Sequence, residues 1–191
     1  MKKIVKASAK EIYSRLREEI WPNERSILER PQRLKYVRKL VQPKGCVFCA
    51  CSKSKDRKKS LVLYRGRHLM VVLNKYPYNN GHLLILPRKH KGDFLKMTDN
   101  ELKGIQVLAK HAIRILKKNY GCEGFNMGLN LGASAGAGIP DHLHYHLIPR
   151  WNGDTNFFPL IAKTKLVVET TKQTYERLAP DFIKLEKKVV F

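Results

Sequence analysis

The chain has no apolar run approaching the roughly 20 residues that span a bilayer. Its first stretch, MKKIVKASAKEIYSRL, lacks the apolar centre and the small-residue cleavage site of a secretory signal. A membrane-embedded or secreted protein is therefore not expected, and the cytoplasm is the expected location. Cysteine is sparse, with four residues in 191, and three of them crowd into Cys46–Cys51. A cytoplasmic chain of this length has no need of disulfides, so Cys46-Val47-Phe48-Cys49 is better read as half of a metal site. Internal repeats are absent, and low complexity is confined to the Lys-rich stretch at 53–59.

Acidic residues are also scarce. Sixteen Asp and Glu stand against 38 Lys and Arg, a formal net charge of +22. Residues 1–60 hold 18 of the basic side chains and only 6 acidic ones. An imbalance of that size points to an anionic partner, either nucleic acid or a polyphosphate substrate, or to an acidic cell interior; charge alone does not choose among them.

What is present is one domain's worth of core, with hydrophobic residues at 43 %. Ser8-Ala-Lys-Glu11 has the form of a capping box, and Ile12, Leu16 and Ile20 follow at helical spacing until Trp21-Pro22. Residues 22–59 show no sustained period and read as a basic, partly mobile connection around the Cys pair. From Ser60 the texture changes: LVLYR and LMVVLN read as two strands around a short turn, and HLLILP as a third. Thr98-Asp-Asn-Glu101 is a second capping box, opening a helix whose apolar residues recur from Leu102 to Leu116 and whose stop is Gly121. FNMGLNL and HLHYHLIP then supply two strands separated by the loop GASAGAGIPD. After Trp151 the pattern predicts a loop, a strand around KLVVET and a last helix interrupted at Pro180. The order predicts an α+β fold, an antiparallel sheet of about five strands with the long helix on one face. It divides as a helical N-terminal extension at 1–44, a domain at 45–160 and a C-terminal strand and helix extension at 161–191.

In DHLHYHLIPRW the histidines at 142, 144 and 146 fall two apart. On a strand they share one face, and Leu143, Tyr145 and Leu147 share the other. The leucines are expected to take the core and the imidazoles to face outward. At about 3.3 Å per residue the outer histidines stand roughly 13 Å apart. One metal ion with bonds of about 2 Å to nitrogen does not reach all three, so they must divide their labour.

His142-Leu-His144-Tyr-His146-Leu-Ile resembles the His-φ-His-φ-His-φ-φ signature of the histidine triad (HIT) superfamily of nucleotide hydrolases and transferases. The resemblance extends over roughly residues 45–160 through LNKYPYNNGHLLILPRKH, NLGASAGAGIPD and IPRWNGDTNF. The last two segments look closest to the branch that cleaves dinucleoside polyphosphates such as diadenosine tetraphosphate (Ap4A). That likeness implies a HIT-like fold, a homodimer, and nucleotidyl transfer through His144 as nucleophile on an α-phosphorus, by hydrolysis or phosphorolysis. It implies phosphate contacts from His146 and His82, an amide near the scissile phosphate from Asn130, and charge-stabilising backbone N–H groups from Gly136 through Gly138 to Ile139. Asn74 matches a ribose-contacting position, Val72 and Leu84 match the base pocket, and Trp151 stands where the polyphosphate-cleaving branch has an aromatic. Members with a C-x-x-C ahead of the first strand hold structural zinc, and the matching ligands here are Cys46, Cys49, His90 and His142. Cys51 is then a spare and Cys122 a buried apolar residue. The chain departs from the pattern at Ala137-Gly138, where many members carry a hydroxyl residue that would help the leaving group. An alternative use of the basic charge is nucleic-acid binding, with action on adenylated 5′ ends.

Overall fold

The computed structural model describes residues 45–154 and 168–189. The first predicted helix, the extension 1–44 and the start of KLVVET lie outside them. Five strands form one antiparallel sheet: β1 (Val62–Arg65), β2 (Leu69–Leu73), β3 (Leu83–Pro87), β4 (Gly124–Leu129) and β5 (Tyr145–Arg150), in the order β1-β2-β3-β5-β4. Three helices accompany them: α1 (Val47–Lys53), α2 (Asp99–Tyr120) and α3 (Thr171–Lys188). Every residue of β2 and β3 is buried, because both faces of the sheet centre are covered.

One face holds the main core. Leu63, Leu69, Val71, Leu73, Leu83, Ile85, Leu143 and Leu147 meet Ile105, Leu108, Ala112 and Leu116 of α2 and Tyr175, Leu178 and Phe182 of α3. The start of α2 is capped as its sequence demands: Thr98 Oγ1 accepts from Glu101 N, and the Glu101 carboxylate accepts from Thr98 N. Its end is Gly121 in the left-handed conformation. A smaller cluster occupies the other face, where Phe48 of α1 packs with Val62, Met70, Val72, Leu84 and Leu86.

Three expectations change. Residues 47–53 are helical although their seven residues are too few to show a period. The Lys-rich run is folded rather than a loose connection: Arg57 makes a bidentate pair with Glu186 at 2.7 Å, and Lys58 reaches Glu176 at 2.7 Å. Finally, α3 runs through Pro180 without a break, and Val168–Thr170 form its approach instead of a strand. A Thr170–Gln173 capping box starts it. Hydrogen bonds from Tyr64 Oη to Val189 O (2.8 Å) and from Tyr175 Oη to Val62 O (3.2 Å) tie it to β1. That buried packing offsets the one helical bond a proline removes. Among the described residues no helix is long and apolar enough to cross a membrane.

Candidate functional site

The histidines sit where β5 begins. Regular pairing of β5 starts only at Tyr145, opposite Ile85 of β3 and Leu129 of β4, so His142 and His144 lie in the extended segment that leads into it. The alternation nevertheless holds: Leu143 and Leu147 enter the main core, and the imidazoles lie on the opposite face. That face is not open. His142 is fully buried and His144 is 7 % exposed, a correction to the expected outward orientation. The cause is a second layer that alternation cannot reveal. Phe48 packs its ring at 5.3 Å from His142 and 5.1 Å from His144, centroid to centroid.

Backbone carbonyls can only accept hydrogen bonds, and two of them assign the tautomers here. His142 Nε2 lies 2.9 Å from Pro87 O, so Nε2 carries the proton and Nδ1 keeps its lone pair. His144 Nδ1 lies 2.8 Å from His142 O, so its lone pair is on Nε2. Burial pushes the His144 ring below the ordinary histidine pKa, the carbonyl bond working in the other direction. A neutral ring with a lone pair on a defined nitrogen is what a nucleophile requires.

A second pair lies beside it. His82 is fully buried, and its Nδ1 accepts from Tyr78 N at 3.0 Å with Asn74 Nδ2 at 3.2 Å. Its Nε2 therefore carries the proton and donates to His146 Nδ1 at 2.9 Å, leaving the one ring proton of His146 on Nε2. His144 and His146 rings are 5.1 Å apart, so a lone pair and an N–H stand side by side. This arrangement gives His82 and Asn74 hydrogen-bond partners within the chain. His82 Nε2 is engaged by His146 Nδ1. Asn74 Oδ1 accepts from Tyr76 N at 2.9 Å within the β2–β3 turn.

Around this pair the remaining predicted residues divide. Leu84 pairs with both Val72 and His146 across the sheet, and Ile139 packs on the same small cluster, so these three line the histidine face. Leu129 pairs with Tyr145, and the same register carried one residue further puts Asn130 level with His144. Gly136 and Gly138 are exposed, and a Cβ on either would meet nothing within 4 Å. The expected run of N–H donors is shortened, because Gly136 N bonds to Ala133 O (2.9 Å) and Ala137 N to Gly132 O (3.2 Å). Trp151 lies away from the histidines: its Nε1 donates to Tyr120 O at 3.1 Å and its ring packs edge-on to Tyr120 and against the main core. Within one chain it is a packing anchor. Its parity with Leu143 and Leu147 was the signal in the sequence.

Cys46, Cys49, His90 and His142 offer one ligand atom each, and these atoms all lie within 4.8 Å of one another. Cys46 Sγ is 3.2 Å and Cys49 Sγ 3.7 Å from His142 Nδ1, and Cys49 Sγ is 3.4 Å from His90 Nδ1. A tetrahedral zinc with bonds of about 2.3 Å to sulfur and 2.0–2.1 Å to nitrogen needs ligand separations of about 3.3–3.8 Å. The four donors fit a metal ion, with two soft sulfurs and two imidazoles. Their scaffold is tightly held: Lys91 bonds the Glu101 carboxylate at 2.6 Å, and Leu143 N donates to Lys91 O at 2.7 Å. The 90–92 segment is thereby fixed between the start of α2 and the histidine strand. Cys51 packs on the small cluster and Cys122 is buried in the main core.

An antiparallel five-stranded sheet with paired, tautomer-defined histidines and α1 on one face and α2 and α3 on the other defines an α+β class of fold. The chain belongs to the HIT-domain family, whose model matches residues 55–153. It is similar to the AP-4-A phosphorylase of Mycobacterium tuberculosis, 40 % identical over 122 residues, which is 64 % of this chain and 63 % of that protein's length. The fold is similar to the crystal structure of a Zn-bound histidine triad family protein from Mycobacterium smegmatis, with a TM-score of 0.59 at 21 % identity over 76 % of this chain and 98 % of that one. A hypothetical histidine triad nucleotide-binding protein from Sulfolobus tokodaii gives 0.57 at 25 % identity, over 75 % of this chain and 96 % of that chain.

Proposed function

We propose that the protein cleaves a dinucleoside polyphosphate of the Ap4A type by transferring a nucleotidyl group to His144. The observation that carries this reading is the hydrogen bond from His144 Nδ1 to His142 O, which commits the lone pair to Nε2. Nε2 attacks the α-phosphorus, a P–N bond forms, and the P–O bond to the remaining polyphosphate breaks. The positive charge that develops on the ring is shared through Nδ1–H with the His142 carbonyl. Beside it, the Nε2–H of His146 donates to a phosphate oxygen, and Asn130 supplies a further amide. Water or inorganic phosphate then attacks the same phosphorus and breaks the P–N bond. The base rests on Val72, Leu84 and Ile139. A polyphosphate leaves well without help, which suits a loop whose Ala137-Gly138 brings no hydroxyl.

The 40 % identity to an AP-4-A phosphorylase supports phosphate as the acceptor. Ap4A incubated with the protein, with and without inorganic phosphate, decides the matter. ATP and ADP report phosphorolysis, ATP and AMP report hydrolysis, and no cleavage under either condition overturns the reading.

The four-ligand cluster is read as a closed structural zinc site, remote from bond making. When bound, the metal supplies a cross-link between α1, the 90–92 segment and the histidine strand, and no step of the reaction passes through it. A homodimer through α2 and the sheet edge belongs to the same reading. Among the described residues β4 pairs with β5 alone, and Met127 on it and Leu131 just beyond it are 38 % and 47 % exposed. Such an edge is suited to a second copy.

A further inference from the structure

Asn79 is a buried asparagine, 6 % exposed, in the turn between β2 and β3, and its side-chain amide does not serve that turn. Asn79 Nδ2 donates to Pro149 O near the end of β5 at 2.9 Å and to Asp154 Oδ2 in the turn beyond it at 3.0 Å. The Asp154 carboxylate is itself held on every side. Arg150 grips it with Nε at 2.6 Å and Nη2 at 2.7 Å, and Trp151 N donates at 3.3 Å. Gly81 completes the contact, since a Cβ there would lie 2.9 Å from Leu116 Cδ2 and 3.3 Å from Pro149 Cγ.

The same turn controls the histidines. His82 N donates to Asn79 O at 3.2 Å, and Tyr78 N donates to His82 Nδ1 at 3.0 Å. The Tyr78 ring lies 4.9 Å from the His82 ring and stacks on His146 at 6.0 Å and 18°. His82 directly precedes β3 and His146 lies on β5 opposite Leu84, and the β3–β5 pairing stops beside them at Leu83 and Leu147. Beyond that pair, the Asn79–Asp154 contact joins the turn to the strand that carries His146.

We infer that Asn79 and Asp154 are positioning residues that hold Tyr78 N against His82 Nδ1 and so fix the proton of the His82–His146 pair. With Tyr78 N in place, His82 can only donate from Nε2, and His146 must then present an N–H from its own Nε2. If the turn moves off β5, Tyr78 N and the Asn74 amide, which is tied to the turn through Tyr76 N, both leave Nδ1, and His82 is able to carry its proton there instead. The bond to His146 Nδ1 then needs a proton from His146, and the Nε2 of His146 turns from donor into acceptor. A phosphate oxygen would meet a lone pair there. The catalytic consequence rests on the nucleotidyl-transfer reading above; the tautomer consequence does not.

The test uses the full chain with 15N-labelled histidine, whose long-range 1H–15N spectra distinguish the two ring tautomers without any substrate. The native protein is expected to show Nε2–H for both His82 and His146. Asn79→Ala and Asp154→Asn, each checked for native secondary structure, are expected to show mixed or exchange-averaged tautomers at both rings. Where Ap4A is turned over, kcat is expected to fall by on the order of 10²-fold with KM little changed. Native tautomers in whichever of the two variants folds would overturn the inference, even if activity falls. Shifted tautomers uphold it even if the native protein leaves Ap4A intact, an outcome that sinks the nucleotide reading alone.

Discussion

His144 Nδ1 donates to the carbonyl oxygen of His142 at 2.8 Å, while the His142 ring turns its Nδ1 toward Cys46 and Cys49. One residue thus faces the candidate metal donors with its side chain and the proposed nucleophile with its backbone. The two functions meet without sharing an atom.

Replacing His144 by Ala removes the proposed nucleophile and leaves all four metal donors. Turnover of Ap4A is expected to drop to background, with metal content per chain unchanged by elemental analysis. Full activity in that variant would exclude nucleotidyl transfer through this residue.

Phe48 is 5 % exposed and touches both His142 and His144. Truncation to Ala leaves a cavity between them, at a cost of about 3 kcal/mol. Thermal or urea unfolding of Phe48→Ala is expected to show that loss, and Phe48→Leu a smaller one.

Stripping the metal with a chelator, or breaking the set by Cys49→Ser, is expected to release α1. Seven residues do not hold a helix in water without tertiary support. Hydrogen exchange over residues 46–54 should accelerate markedly, with exchange in α2 little affected. Unchanged protection at 46–54 would argue against a structural metal.

A Cβ at Gly92 would lie 2.9 Å from Asp141 Cα and 3.0 Å from its carbonyl carbon, and backbone cannot step aside as a side-chain tip can. Gly92→Ala is expected to push His90 away from His142 and cost roughly 1–3 kcal/mol. A weaker affinity for zinc, measured by competition with a chromophoric chelator, is the direct check.

Hydrogen bonds from Arg150 hold the Asp154 carboxyl well below the usual range, and those from Lys118 and Asn119 hold Asp181 down. A carboxylate depressed in the folded state stabilises the fold above its unfolded pKa, about 3.9 for Asp, and loses that contribution as pH falls through the folded value. Thermal stability should therefore fall progressively below about pH 4. Asp181→Asn should lower the plateau at neutral pH and flatten that acid limb.

Much of this was legible along the chain. Thr98, Glu101 and Gly121 announce both ends of α2, because capping is a local matter of a few bonds. Alternation separates Leu143 and Leu147 from the histidines, and it places Trp151 with the leucines, a parity that its family likeness obscured. The C-x-x-C pair is visible as half a site. By contrast, α1 is too short to show a period, and Phe48 within it carries no mark of contact with two histidines 94 and 96 residues away.

The sequence by itself determined which side chains share a face, where the long helix starts and stops, and which residues have the chemistry for phosphorus and for a metal. Only the tertiary structure decided which nitrogen of each ring holds its proton, since that depends on Pro87 O, His142 O and Tyr78 N arriving from other segments. It alone decided that the histidine face is covered and that His82 Nε2 is bonded to His146 Nδ1. Residue type sets what an imidazole can do; its hydrogen-bond partners, brought together by folding, set which of its two nitrogens does it.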